Sequence, residues 1–378
     1  MILLRKPRKN LTQISNGSYQ MKGKLSIVYK KIYSSLIALL LMLCGLAGSS
    51  ASSAALGQTR RGKSSDQQPR RNAAASVKPG ILSALPASDA VMLINLQRLL
   101  KEAMPRVLDQ TKLAQANAEI EKFKTQTGVD PRSFDNVAVG MRFSSLPSGT
   151  TKVSTVALAN GTFNAGAMVA AGRLATNGKY TEEKYNGATI YIFDLNEQVK
   201  MFGLLNMKVS RLGVSALDAH TLALGDPVVV RAAIDASHGG GRVTSELVQL
   251  ATRSPNALIG FGANLPQFIM QGISVPSDEI ARNLASVRQV YGSVGATESG
   301  FDSMLIARTE NADQAKGLSD TIGALKQFSP LISARLSGAK ARLAQNALDS
   351  LEVSAQGNEL HLRLALAQTD LNTLMGGF

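Results

Sequence analysis

Tryptophan is absent from the 378 residues, cysteine occurs once, histidine three times, and aromatics make up 5% of the chain. Each scarcity excludes something. One cysteine permits no intramolecular disulfide and no thiolate-rich zinc or iron–sulfur site. Neither H-x-x-x-H, C-x-x-C nor D-x-D-x-D occurs, so no metal site is expected. No G-x-S-x-G elbow is present either; GISVP (272–276) stops one residue short. No catalytic cluster, metal or cofactor is therefore expected.

The formal net charge of +14 invites a nucleic-acid reading, but its distribution argues against one. Residues 1–80 hold 14 Lys and Arg against a single acid, Asp66. Of the chain totals, 41 bases and 27 acids, that leaves 27 and 26 over residues 81–378. Nucleic-acid domains carry a basic face, often with stacking aromatics. Here the excess sits in a tail and no nucleic-acid partner is expected.

What the tail does contain is a three-part export signal. Lys22, Lys24, Lys30 and Lys31 precede the apolar run LIALLLMLCGLA (36–47), and GSSASSAA follows with residues suited to signal peptidase. Met21 would start a signal of ordinary length. A spanning helix needs about 20 apolar residues, so the run is short for an anchor. Membrane contact is expected only through residues 32–47, and only if they are retained. Cys44 follows Met42 and Leu43, where a lipidation signal wants small residues.

The string GQTRRGKS (57–64) spells G-x-x-x-x-G-K-[ST], with Gly57, Gly62, Lys63 and Ser64 at the fixed positions. A phosphate loop needs a buried strand before it and a helix after it. Here LAGSSASSAAL precedes it, and Pro69 falls where the helix should run. The match is read as a false positive, and Asp194 of IYIFD as an ordinary strand end rather than its magnesium-binding partner. Residues 55–80 read as a polar disordered linker after a leader and signal at 1–54.

From Ile81 onward, alternating and three-to-four-spaced apolar patterns predict an α+β fold. Strands are expected at 90–96, 136–143, 152–159, 188–194 and 211–226, with helices at 113–126, 164–176 and 227–236. The second part replays the first: ALIGFGANLPQFIM echoes AVMLINLQRLLKEA, ENADQAKG echoes FNAGAMVA, and VSAQGNELHLRLAL echoes VSALDAHTLAL. The expectation is two tandem β-α-β-β-α-β-β-type repeats, 81–252 and 253–378, with mostly antiparallel sheets and helices on one face.

His220 and His361 fall in or beside strands and read as polar-face residues. His238 opens HGGGR, a loop between helices. Gly140, Gly260, Gly262, Gly292 and Gly295 lie in strand-like runs, which marks strand curvature or a groove against bare backbone. LPASDAVMLINL (85–96) and TGVDPRSFDNVAVGM (127–141) resemble uncharacterised bacterial secreted proteins of a domain-of-unknown-function type. That resemblance implies an envelope association and transfers no site residue.

The function expected is a non-enzymatic extracytoplasmic protein, periplasmic, secreted or membrane-tethered, binding an unknown protein or small-molecule ligand or serving as an envelope module. The alternatives are a secreted hydrolase with dispersed Asp, Glu or Ser residues and an apolar-ligand carrier. Intact mass of the chain recovered from the extracytoplasmic fraction is expected to begin near Ala55. A mass that retains 36–47 in the membrane fraction would instead mean a tether.

Overall fold

The computed structural model describes residues 80–147, 151–176, 178–201, 205–271, 278–298, 300–327 and 338–368. The signal segment, the linker and GQTRRGKS lie outside them.

A 3-10 turn (Ile81–Ala84) leads into β1 (Ala90–Asn95). The Asn95 side chain accepts from the Arg98 N–H at 2.9 Å and starts a helical run, α1 (96–107). Pro105 has no N–H for the regular helical bond, and a π turn occupies Leu99–Ala103 just ahead of it. Asp109 caps α2 (Gln110–Thr127), which Gly128 ends at φ 71°, a left-handed conformation that glycine adopts without strain. β2 (Phe134–Ser145) and β3 (Thr151–Gly161) form the next pair, followed by α3 (Ala165–Ala175). Four strands come next: β4 (Thr181–Tyr185), β5 (Ala188–Met201), β6 (Leu205–Ala216) and β7 (Thr221–Gly225). Asp226 caps α4 (Pro227–Ser237), whose first-turn proline lacks only a donor that would have been unpaired anyway. Thr244 caps α5 (Ser245–Ala251).

The later elements are β8 (Ile259–Asn264), α6 (Gln267–Gln271), α7 (Asp278–Ala285), β9 (Val287–Ala296) and β10 (Gly300–Thr309). Then come α8 (Ala312–Gln327), α9 (Ala339–Ser350), β11 (Glu352–Gln356) and β12 (Glu359–Ala367). The two echoed Asn-Ala pairs both start helices: Asn164 accepts from Ala167 N at 2.9 Å, and Asn311 from Gln314 N at 3.0 Å.

The fold is mixed helix and antiparallel sheet, as the patterning predicts. The twelve strands of the described residues stand in a single sheet rather than one sheet per repeat, in the order β11-β12-β10-β9-β8-β1-β2-β3-β7-β6-β5-β4. The join is β1 with β8, antiparallel from Ala90↔Ala263 to Ile94↔Ile259. Outward from that join the strands run β1-β2-β3-β7-β6 on one side and β8-β9-β10-β12-β11 on the other.

Helices on one face only, as expected from the sequence, is not what the packing gives. Central strands alternate between two apolar clusters. Met92, Ile94, Val137, Val139, Ala157 and Ala159 pack with α1 and α3 on what we term the front. Val91, Ala138, Val156 and Leu158 pack with α4 and α5 on the back. β1 is apolar at every position but its last, so both its faces need cover. A third cluster continues the front, where Leu318 and Ile322 of α8 meet Ala307 and Leu360.

Two glycines set how close α5 sits to the sheet. A Cβ at Gly260 would run into the Ala251 carbonyl oxygen, and one at Gly262 would lie 2.9 Å from Leu250 Cβ. Gly260→Ala is expected to destabilise the chain by about 2–4 kcal/mol, since the obstacle is helix backbone and cannot swing aside. Gly172→Ala, in α3 with open space around it, is expected to stabilise by about 0.5–1 kcal/mol. Urea melts of the two full-length variants check the opposite signs.

Candidate functional site

Back-face cover stops at β9 and β10. Beyond Tyr291 and Ile306, no described helix lies over the back of β10, β12 and β11. Met304 is 37% exposed there, and Glu352, Ser354, Gln356, Arg363 and Ala365 are exposed as well. The pairing brings three polar-rich strand segments side by side on this face. Gln289 stands opposite Arg308, Tyr291 opposite Ile306, and Ser293 opposite Met304. On the other flank Arg308 faces Glu359, and Ile306 faces His361.

Tyr291 is the centre of this face. It is 1% exposed and is among the largest fully buried side chains. Its hydroxyl accepts from Arg253 Nη1 at 2.5 Å and donates to Glu359 Oε1 at 2.7 Å. The Arg253 and Arg308 guanidinium carbons lie 5.1 and 5.4 Å from its ring centroid, within cation–π range. Glu359 also takes Arg308 Nη2 at 2.8 Å and sits 3.2 Å from His361 Nε2. Arg308 reaches Gln289 Oε1 at 2.6 Å, and Gln289 in turn donates to Asn264 and Glu246 at 2.7 and 3.0 Å. The network therefore runs unbroken from the loop after α5 across β9 and β10 to β12.

Charge states follow from these contacts. Burial pushes the Tyr291 hydroxyl up, and its hydrogen bond to Glu359 adds to that. Burial also acts to raise the Glu359 carboxyl, but the bonds from Tyr291, Arg308 and His361 outweigh it and hold the group below its ordinary range. Arg308 is raised, chiefly by its bond to Glu359. At neutral pH Tyr291 keeps its proton and Glu359 is an anion matched by Arg308. Neither is poised to exchange protons near neutrality, which general acid–base catalysis requires.

Above Tyr291 lies an open cleft of ≈ 230 Å³, lined by Leu250, Arg253, Ser254, Ser293, Met304 and Ile306 among others. Ser293 Oγ donates to Ser254 Oγ at 3.0 Å. A smaller depression of ≈ 80 Å³ shares Ser254 and runs toward Asn95 and Gly260. Pro255 prevents α5 from continuing past this point, and the seat on Gly260 and Gly262 delivers Arg253 and Ser254 beside β9.

The residues singled out in sequence are dispersed. Asp194 pairs with Arg211 at 3.7 Å on the β5–β6 ribbon. His220 lies in the β6–β7 turn with Nδ1 3.0 Å from Phe163 O. His238 ends α4 with Nδ1 2.9 Å from Ile234 O. HGGGR is a fitted turn, since Arg242 Nε bonds Ala236 O at 2.9 Å and Arg242 bridges to Pro86. Only His361 falls in the network. Of the strand glycines, Gly292 is in the lining of the cleft and Gly260 in that of the smaller depression, but each already has close neighbours where a side chain would stand. Gly260 and Gly262 are covered by α5, Gly140 by Ser88 and Leu85, Gly292 by Phe261 and the Met304 carbonyl, and Gly295 by Asp302. Gly57, Gly62, Lys63 and Ser64 lie outside the described residues, and the described residues hold no group of three or more His, Cys, Asp or Glu placed to bind a metal.

No protein-family model matches the chain, and no curated protein matches it in sequence. Similar solved structures are three crystal forms of TP0453. Form III is 11% identical with a TM-score of 0.42, over 80% of this chain and 99% of that one. Form IV is 12% identical with a TM-score of 0.40, over 79% and 97%. Form I is 13% identical with a TM-score of 0.40, over 80% and 98%. Likenesses this low assign no function. No family model stands behind the resemblance seen at 85–96 and 127–141.

Glu359 couples this face to acid stability. Its carboxyl titrates near 4.5 in the unfolded chain and lower when folded. Its stabilising contribution is therefore complete above about pH 4.5 and is lost as pH falls through the folded value. Glu359→Gln is expected to cost about 1–3 kcal/mol at neutral pH, because Arg308 loses its counter-charge. The variant should also show a shallower fall in stability between about pH 5 and pH 3, read by urea melts. An unchanged acid limb would mean that the pair does not form.

Proposed function

We propose that the chain is an extracytoplasmic, non-enzymatic binding module that uses the uncovered back face of β9, β10, β12 and β11. The observation that carries this reading is the asymmetry of cover. On the β3–β7 side the back of the sheet lies under α4, whose Val229, Val230, Ala233 and Ile234 are buried. On the β10–β12 side no described helix covers the same face, and Met304 is exposed beside the polar network around Tyr291. A charge network with matched partners and an exposed apolar residue beside it suits recognition.

Export rests on the basic n-region, the apolar run 36–47 and the small residues after it. Among the described residues no helix is long and apolar enough to cross a membrane. An internal duplication of 81–252 and 253–378 belongs to the same proposal. It is supported by the matched strand roles on either side of the β1–β8 join and by the two Asn caps. The hydrolase alternative calls for a concave pocket with acids displaced toward neutrality. The open cleft and the ionised, Arg-matched Glu359 weigh toward binding instead.

A photo-crosslinking residue at position 304, in cells, tests the face. Position 174 on α3, where Leu174 is 79% exposed, serves as the control. Light-dependent adducts of defined mass are expected from 304 and not from 174. Equal yields from both, or none from 304, would remove the reading.

A further inference from the structure

We infer that the cleft over Tyr291 binds the anionic head of a small amphiphile, with Arg253 as its charged partner and Leu250, Met304 and Ile306 receiving the apolar body. This rests on the reading of the back face as a binding surface and names the chemistry it takes.

The argument starts from which charges are already matched. Arg308 is engaged by Glu359 and Gln289. Arg253 has no carboxylate within 4.0 Å among the described residues; its guanidinium bonds the Tyr291 hydroxyl through Nη1. A guanidinium carries five N–H donors in a planar fork that fits two oxygens of a carboxylate or phosphate. Among the described lining residues Arg253 is the charged one, and around the Tyr291 floor Arg253 and Arg308 outnumber Glu359, so the local sign is positive.

Hydroxyl donors complete the head site. Ser293 and Ser254 share one hydrogen bond at 3.0 Å. That bond uses one of their two hydroxyl protons, so the other hydroxyl can donate within the same lining as Arg253. Tyr291 has no donor left, because its proton goes to Glu359. An anion therefore meets two donors, the Arg253 guanidinium and one serine hydroxyl.

The remaining wall is apolar. Leu250 comes from α5, and Met304 and Ile306 come from β10. A volume of ≈ 230 Å³ is below the roughly 300–1,000 Å³ of pockets for drug-sized ligands, so the body must be short. A short-chain carboxylate or alkyl phosphate satisfies both ends. Either arises as a free solute or as the head and upper chain of an anionic lipid.

Calorimetric titration of the full-length chain with octanoate, octyl phosphate, octanol, inorganic phosphate and phosphatidylglycerol vesicles tests this. Octanoate and octyl phosphate are expected to bind and to compete with each other. Octanol is expected to bind at least about tenfold more weakly. Arg253→Gln should weaken octanoate about tenfold and leave octanol unchanged; Arg253→Lys should retain part of the difference. Added salt should weaken octanoate alone. Arg253 is exposed and Tyr291 keeps its bond to Glu359, so the Arg253 variants are expected to stay folded and to melt slightly below the wild type for the lost bond to Tyr291.

Octanol binding as well as octanoate, or an Arg253→Gln variant that binds octanoate normally, would overturn the assignment. Inorganic phosphate binding as tightly as octyl phosphate would overturn the apolar half of it. Binding to vesicles without binding to octanoate would overturn the small-ligand claim in favour of a lipid surface. Position-304 adducts do not depend on Arg253. Adducts without amphiphile binding would sink this inference and leave the binding face standing.

Discussion

The seat of α5 on the bare backbone of β8 is the constraint from which the site follows. Helices pack on sheets at a distance set by side chains on both surfaces. Gly260 and Gly262 remove the sheet's share, and the Ala251 carbonyl occupies the space a Cβ would take. The helix end therefore comes down level with β9. Arg253 and Ser254 reach Tyr291 and Ser293 directly, and Tyr291 is buried although it stands at the margin of the covered zone.

Burial of Tyr291 in turn makes the polar network necessary. A buried hydroxyl without a partner costs about 1–3 kcal/mol. Glu359 supplies the acceptor, which brings a carboxylate into a half-buried place. Arg308 then matches that charge, and Gln289 holds Arg308 in line. Each step corrects the electrostatic cost of the one before it. The chain of corrections ends at Arg253, which no carboxylate among the described residues answers within 4.0 Å and whose bond is to the neutral Tyr291 hydroxyl.

Much of the fold is legible in the sequence because it is local. Asn164, Asp226 and the run AVMLIN act within a few residues of themselves. What escapes is set by distant pairing. β4, TEEKY, has no apolar alternation to reveal it and is defined by β5 beside it. Helices on both faces follow from β1 being central, and that depends on β8. The site escapes for the same reason: Tyr291, Arg308 and Glu359 become neighbours through the β9–β10–β12 register. A trace was nonetheless present. Gln289, Tyr291 and Ser293 alternate with apolar residues, as do Glu359, His361 and Arg363. Period-two polarity in two separate strands marks a sheet face that keeps polar company. Histidines and strand glycines stand out in the sequence because they are rare or conformationally special, and the packing uses most of those singled out for turns and close approaches.

The β1–β8 join bears on how the chain acquires its structure. Val91 pairs with Gly262, about 170 residues later, and contacts so far apart slow folding. The first seven strands can assemble while β1 still offers an apolar, unpaired edge to its surroundings, a state prone to association. A chain delivered amino-terminus first passes through that state every time. The interval before β8 arrives is thus the vulnerable phase of its biogenesis, and holding factors that shield strand edges should matter most then.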